Sequence, residues 1–216
     1  MLSIKKIRSG AFATALILAG AIPPAEASPL FSDNFDGDAL GSVLNFNAFT
    51  NWNVINGSVD YLKGYPGISC LAGGCVDLDG STLQAGRMIS KQSFVLDAST
   101  IYRLSVTFSG SQRNGYGSDN IKWGITTGTV DWAYGYDQGI AWNAAFNILN
   151  SQFTGIAGTF HLFVEDTGSH DNVGTILDSI SFQSLPSSVP EPGALALVGL
   201  GIAALMLTKR RFNAHS

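Results

Sequence analysis

Short runs of strand character, separated by glycine turns, constrain the fold of this chain more than any other feature. The run 101–109 alternates between apolar and polar residues from Tyr102 onward, as a strand with one buried face does. Runs at 94–96, 121–126, 159–164 and 175–183 also have strand character, and Asn-Gly, Asp-Gly and Gly-Gly pairs supply turns. We therefore predict an all-β fold, an antiparallel β-sandwich of the jelly-roll kind, with a β-barrel as the alternative.

The N-terminal 27 residues are predicted to be a signal peptide that takes no part in this fold. Basic residues between positions 5 and 8 precede an apolar stretch at 11–21, which would form the signal-peptide helix. Ala25 and Ala27 are small residues at the positions that signal peptidase reads, so we expect cleavage before Ser28. The alternative, an uncleaved anchor, is disfavoured because the apolar stretch is short and two prolines follow it.

A proline-rich turn, an apolar run at 193–208 and a basic cluster follow one another near the C-terminus. Proline fixes φ and removes a backbone donor, so the turn would present its backbone to a protease. We predict that the apolar run enters the bilayer as a transmembrane helix and that the basic cluster stays cytoplasmic. The residues of the turn and the cluster are Pro190, Glu191, Pro192, Lys209, Arg210 and Arg211.

This three-part order closely resembles the PEP-CTERM tail, which exosortase-type transpeptidases process in Gram-negative bacteria. The resemblance implies a sorting tail over 189–212 and export across the inner membrane through a transient membrane-anchored precursor. It places the processed protein at the cell surface or in the extracellular matrix. Signal peptidase and an exosortase would be the processing partners. An ordinary C-terminal membrane anchor is the alternative.

Removing both terminal segments leaves a β-sandwich domain at 28–184 and a short spacer at 185–188. A domain of this length can bury a sizeable core without help. This part holds six of the 12 Lys+Arg residues of the chain and fourteen of its 16 Asp+Glu residues. Its net charge is therefore −8. Such an acidic domain is a poor partner for nucleic acid, so we expect no nucleic-acid binding.

The two cysteines, Cys70 and Cys75, lie in the exported part of the chain. An oxidising compartment favours a disulfide between them, and two glycines in the intervening loop make so short a bridge sterically possible. Free thiols and a metal site are the alternatives. The metal site is disfavoured because no second Cys/His pair stands at ligand spacing.

The sequence also resembles jelly-roll carbohydrate-binding modules and galactose-binding-like domains. The resemblance rests on Asn-Phe-Asp-Gly at 34–37 and on Leu-Asp-Ser-Ile-Ser-Phe at 177–182, which correspond to the opening and closing strands of such modules. There, one acidic residue from each strand often shares a structural calcium ion, which implies Asp36 and Asp178 as calcium ligands here. The simpler alternative is that these aspartates form turns or cap strand ends.

A second calcium candidate is the pair Asp77 and Asp79, which stands ahead of Gly80 in an Asp-x-Asp-Gly pattern. The pattern lacks the third ligand position and the distal glutamate of an EF-hand. An Asx-type turn before the glycine is again the simpler alternative.

An aromatic row, Trp132, Tyr134 and Tyr136, has the spacing of residues that share one face of an extended strand. Exposed, such a row would suit sugar rings, which stack on aromatic faces. A jelly-roll core also needs large alternating residues, and the sequence favours this core interpretation over the platform. Trp52 and Trp123 are predicted to be core residues.

Catalysis finds little support in the sequence. Glu165 and Asp166 are adjacent, so on a strand they would point to opposite faces and could not act as a facing acid and base. We expect a non-enzymatic, exported protein with a structural or adhesive role in exopolysaccharide or biofilm. The alternative is a specific carbohydrate-binding module, which a calcium ion could stabilise. A hydrolase of envelope polymers is a remote alternative.

The tail assignment makes a direct prediction. Replacing Pro190, Glu191 and Pro192 by alanine should leave export intact but accumulate an unprocessed, membrane-associated form, because the processing site is lost while the apolar run remains. Immunoblots of membrane and surface fractions measure the ratio of the two forms. Normal maturation of the variant would show that the assignment is wrong.

Overall fold

A computed structural model describes residues 27–168, 170–186 and 199–202 of the chain. The segment Glu26–Ser187 is one compact unit and contains every strand described below. In the second unit, Met1–Ala25 with Ser188–Ser216, residues 199–202 form a single helical turn. None of the helical segments described has the length and apolar character needed to cross a bilayer. The predicted signal-peptide helix and all but those four residues of the predicted tail lie outside the described residues.

Eleven strands form the described part of the compact unit. Their bounds are β1 Ser28–Asp33, β2 Trp52–Ile55, β3 Asp60–Leu62, β4 Cys75–Asp77, β5 Arg87–Leu96, β6 Ile101–Ser109, β7 Asp119–Thr126, β8 Asp131–Ile140, β9 Asn147–Thr154, β10 Gly158–Asp166 and β11 Ile176–Leu185.

The strands pair into two antiparallel sheets. The first sheet has the order β3-β4-β11-β6-β9, and β1 pairs with the second half of β11 beyond the point where β4 ends. The second sheet has the order β2-β5-β10-β7-β8. Apolar side chains from both sheets form one main core, so the predicted all-β, antiparallel sandwich is confirmed.

The strand β6 shows how the sequence pattern produces this layer structure. Its bounds agree with the predicted run, and Tyr102, Leu104, Val106 and Phe108 are all buried on the core face. The intervening residues are more exposed along the first half of the strand, as a period of two requires. At the other end of the domain, β11 extends to Leu185, one residue into the predicted spacer, because Leu185 pairs with Ile101.

Trp52 and Trp123 are buried at 0% and 3% exposure, in agreement with the core interpretation of both. The indole of Trp123 lies directly under the backbone of Gly135 in the neighbouring strand β8. A Cβ atom at position 135 would stand only 2.3 Å from Cε2 of Trp123 and 2.4 Å from Oγ of Ser151. The glycine therefore leaves the space that the largest side chain of this part of the core occupies.

This close approach predicts a large difference between two Gly→Ala substitutions. Gly135→Ala should destabilise the domain by about 1–3 kcal/mol, because the methyl group overpacks the core against Trp123. Gly41→Ala is the matched control, since a Cβ atom there meets nothing within 4 Å. Urea unfolding measures both, and equal stabilities for the two variants would contradict this account of the packing.

Candidate functional site

The strand β8 lies at the edge of the second sheet and carries three large exposed aromatic side chains. Tyr134 pairs with Gly124 and Tyr136 pairs with Lys122, which places both tyrosines on the face of the sheet that points away from the core. Tyr134 is 57% exposed and Tyr136 is 45% exposed. The expectation that this row packs in the core is therefore wrong for both tyrosines, because Ala133 and Gly135 turn toward the core instead.

Trp132 does not lie on the same face as the two tyrosines. The register shifts between Gly124 and Ile125, so that Trp132 pairs with Ile125, whose side chain is in the core. Its ring meets the buried ring of Phe160 edge-on, with centroids 6.5 Å apart, and it remains 42% exposed. Tyr134 and Tyr136 thus form a pair on the side of the sheet that points away from the core. Trp132 lies apart from them at the sheet edge.

Beside the tyrosines, four charged side chains form an ion network on the same side of the sheet. Arg87 binds Asp131 through both terminal nitrogens and binds Glu165 at 2.9 Å. Lys122 Nζ lies 2.7 Å from Asp131 and 3.7 Å from Glu165. Two cations thus balance two carboxylates, and each of the four is largely shielded from solvent.

The network fixes the protonation state of Asp131. Burial by itself would raise the pKa of this carboxyl, but hydrogen bonds from Arg87 and Lys122 outweigh burial and hold the pKa below its ordinary value. The stabilisation that follows is complete above the ordinary aspartate pKa of about 3.9 and is lost as the pH falls through the lowered value.

Aromatic rings complete the outer face next to the ion network. Lys122 Nζ stands 4.6 Å from the ring centroid of Tyr134, and the guanidinium carbon of Arg87 stands 4.0 Å from that of Phe163. A cavity of about 250 Å³ opens here, lined by both carboxylates of the network and by Asn56 and Thr129. We call the surface formed by Tyr134, Tyr136, Lys122 and this cavity the outer face.

A larger cavity, of about 450 Å³, lies at the loops near Trp142 and Phe146. Ser69, Ser109, Gln112 and Asn143 supply its polar side chains. The amide of Gln112 already donates to the Ser69 carbonyl and accepts from the Ser69 N–H, each at 2.9 Å. The amide therefore holds two loops together, and the outer face offers more polar groups around its cavity.

The disulfide between Cys70 and Cys75 is present. Asp36 and Asp178 both lie at the loop that it closes. Asp36 accepts from the Gly74 N–H at 2.9 Å, and Asp178 accepts from the Leu71 N–H at 2.8 Å. Both aspartates thus hold the backbone of this loop, and their predicted role as calcium ligands stays a prediction.

The described residues hold no three His, Cys, Asp or Glu side chains that are already arranged as a metal centre. The described histidines also have structural contacts. Nδ1 of His161 lies 2.7 Å from the Ser90 carbonyl, and Nδ1 of His170 accepts from the Ala85 N–H at 3.3 Å.

The predicted sorting and cleavage residues fall mostly outside the described part of the chain. Ser28 is the first residue of β1 and Ala27 precedes it, exposed. Ala25 is not among the described residues, and neither are Pro190, Glu191, Pro192, Lys209, Arg210 and Arg211.

Comparison with protein families decides the nature of the C-terminal tail. Residues 188–211 match the model of the PEP-CTERM protein-sorting motif. The chain carries a PEP-CTERM sorting tail. The resemblance drawn from the turn, the apolar run and the basic cluster is thereby confirmed, and this motif indicates an exported, exosortase-processed surface protein. Comparison with curated protein sequences gives no match.

Solved structures share the sandwich fold. The chain is similar to the tandem CBM22-1–CBM22-2 domain of Paenibacillus barcinonensis Xyn10C, with 15% identity and a TM-score of 0.50. The match covers 80% of this chain and 49% of that chain, so this chain spans about half of that structure. The single CBM22-1 xylan-binding domain of the same protein is 15% identical, with a TM-score of 0.46 and coverages of 76% and 98%. At this identity, the likeness shows the fold alone.

The sequence analysis did not predict the ion network. Arg87, Lys122, Asp131 and Glu165 stand on four different strands, and their meeting depends on the order β5-β10-β7-β8. The available signal was a polar residue at an alternating position in each of three apolar strands. That signal shows an outward side chain but not its partner.

The network predicts a marked effect of Arg87 on stability. Arg87→Met should destabilise the domain by on the order of 3 kcal/mol, because it leaves two partly buried carboxylates with one cation. Arg87→Lys keeps the charge but loses the bidentate contact with Asp131, so it should be more stable than Arg87→Met and less stable than the unmodified protein. Urea unfolding at pH 7 tests both, and a Met variant as stable as the unmodified protein would refute the assigned role.

Proposed function

We propose that this PEP-CTERM protein binds polysaccharide through its outer face. The observation that carries the proposal is the pair of exposed tyrosines, Tyr134 and Tyr136, beside a polar cavity on an edge strand. Aromatic faces stack against the apolar faces of sugar rings, and fixed polar groups select the hydroxyls around them. The sandwich fold shared with a carbohydrate-binding domain supports this proposal.

The outer face suits an uncharged sugar chain. The cations Arg87 and Lys122 are already paired with carboxylates, so no free positive charge is offered to an acidic polymer. Lys122 also lies against the Tyr134 ring, which holds that ring in place for stacking. Asn56 and Thr129 at the cavity supply neutral groups that can hydrogen-bond with hydroxyls.

The proposed role is adhesive and does not include catalysis. Glycoside hydrolysis uses one carboxylic acid and one carboxylate with room between them for substrate. The carboxylates of the outer face, Asp131 and Glu165, share the same two cations instead. A glycan-binding domain delivered to the surface by an exosortase would retain the cell or its matrix in exopolysaccharide.

Polysaccharide pull-down with the purified full chain tests the proposal, using a glycan array and insoluble polymers such as xylan and galactan. Retention should fall at least tenfold in the double variant Tyr134→Ala/Tyr136→Ala, which corresponds to about 1.4 kcal/mol. The melting temperature should stay nearly unchanged, because both rings lie outside the core.

Tyr116→Ala is the matched control, since Tyr116 is 46% exposed but stands in the β6–β7 loop. Its retention should equal that of the unmodified protein. If no polymer is retained, or if the double variant binds as well as the control, the outer face is not the glycan site.

A further inference from the structure

The strand β9 is an open edge of the first sheet. It pairs with β6 over eight residues without a register shift, and it stands last in the order of the sheet. In an antiparallel ladder, every second residue turns its N–H and C=O away from the partner strand. Outside the ladder with β6, the hydrogen bond found for the backbone of β9 among the described residues is a local one, from the Ile148 N–H to Oδ1 of Asn147 at 2.9 Å. β9 therefore offers a regular row of backbone donors and acceptors to an incoming strand.

The other edge strands carry features that discourage further pairing. β2 and β3 have four and three residues, too few for a long ladder. β1 contains Pro29 with a register shift beside it, and β8 contains two glycines and has two register shifts in its pairing with β7. Short length, proline and bulges are means by which natural sheets protect their edges. β9 has none of them.

β9 is also an uncharged strand in a strongly acidic domain. Its sequence, Asn-Ile-Leu-Asn-Ser-Gln-Phe-Thr, contains no Asp, Glu, Lys or Arg, whereas the domain at 28–184 has a net charge of −8. Charged side chains, lysine especially, are another protection of edge strands, and they are absent from β9. Two acidic copies of the domain can therefore meet along this strand without placing like charges opposite one another.

Apolar side chains along β9 are left partly uncovered. Ile148 points away from the core and is 58% exposed. Leu149 and Phe153 pack against the core, but each remains only half-buried at this edge. Covering such side chains contributes about 25 cal/mol per Å² of apolar surface that is removed from water. A strand laid along β9 would gain this contribution in addition to the backbone hydrogen bonds.

We propose that a second copy of this chain pairs with β9, so that two β9 strands run antiparallel across a two-fold axis. A charged strand would find no ion pair here, and an uncharged strand of the same composition suits this edge best. The exposed amide and hydroxyl groups of Asn150, Gln152 and Thr154 both donate and accept hydrogen bonds, so they can face one another in such a symmetric contact. The proposal does not depend on glycan binding, although a dimer would carry the outer face twice.

Sedimentation analysis of the purified full chain is the first test, in a mild detergent that covers its apolar terminal segments. The salt concentration is about 0.15 M, at which exposed charges are screened beyond roughly 8 Å. Between about 5 and 200 µM protein, the mass should rise from one copy toward two, as expected for a small interface of moderate affinity.

Ile148→Lys removes an exposed apolar side chain and places a charge on the edge. Because each copy then brings a lysine into the same short contact, the dissociation constant should rise at least tenfold. Val95→Lys is the matched control, since Val95 is 83% exposed but stands on β5, between β2 and β10 of the second sheet. The control should dimerise as the unmodified protein does. Both side chains are exposed, so neither variant should melt at a clearly lower temperature.

Cysteines introduced one at a time along β9 test the geometry of the pairing. The substitutions are Ile148→Cys, Asn150→Cys, Gln152→Cys and Thr154→Cys. Each step of two residues away from the axis moves the two copies of a residue about 13 Å further apart, beyond the reach of a disulfide. Crosslinking between copies under oxidising conditions should therefore be confined to one position or to two neighbouring ones. Val95→Cys should give no crosslinked dimer.

Three results would overturn the proposal. The first is a chain that stays monomeric at the highest concentration, or a dimer that Ile148→Lys leaves intact. The second is crosslinking of equal yield at all four positions of β9, or none at any of them, which would place the contact elsewhere on the chain. The third is an assembly of more than two copies, which would mean that different edges pair head to tail.

Discussion

The outer face depends on one packing constraint, the contact between the indole of Trp123 and the backbone of Gly135. Because a side chain at position 135 would collide with this indole, only the glycine can turn toward the core there. The period of two then forces Tyr134 and Tyr136 to the opposite side of β8. Gly124 helps from the neighbouring strand, since a Cβ atom there would stand 2.7 Å from Cβ of Tyr134. Core packing on one side of the sheet thus produces aromatic exposure on the other.

The outer face combines exposed rings with charges that satisfy one another. An unpaired carboxylate or cation beside the tyrosines would attract counter-ions and a tightly held hydration shell, which a neutral sugar would have to displace. The network of Arg87, Lys122, Asp131 and Glu165 removes this obstacle, because each charge has a partner on a neighbouring strand. The same network clamps β5, β10, β7 and β8 together, so the rigidity of the sheet and the neutrality of the face have one origin.

The sequence predicted those parts of the fold that have a strong local pattern. The bounds of β6 agree with the prediction, and β5, β7, β10 and β11 were found with displaced ends, because alternation is clear there. The strands that were missed include β1 to β4, of three to six residues, because such short runs carry little periodicity, and also β9. Tyr134 and Tyr136 were assigned to the wrong side of the sheet because spacing gives two faces but does not say which is buried. That choice is made by Gly135, whose role appears only when β8 lies against Trp123.

The buried aspartates near positions 77–80 show the same limit of local sequence patterns. The Asp-x-Asp-Gly pattern at 77–80 was visible in the sequence, but the carboxylates that lie near it in the folded domain were not. These are Asp119 and Asp166, which lie 40 or more residues away along the chain. The antiparallel pairing of β7 with β10 brings them together, since the end of one strand meets the start of the other. A local motif thus names only some members of such a cluster, and the sheet topology supplies the others.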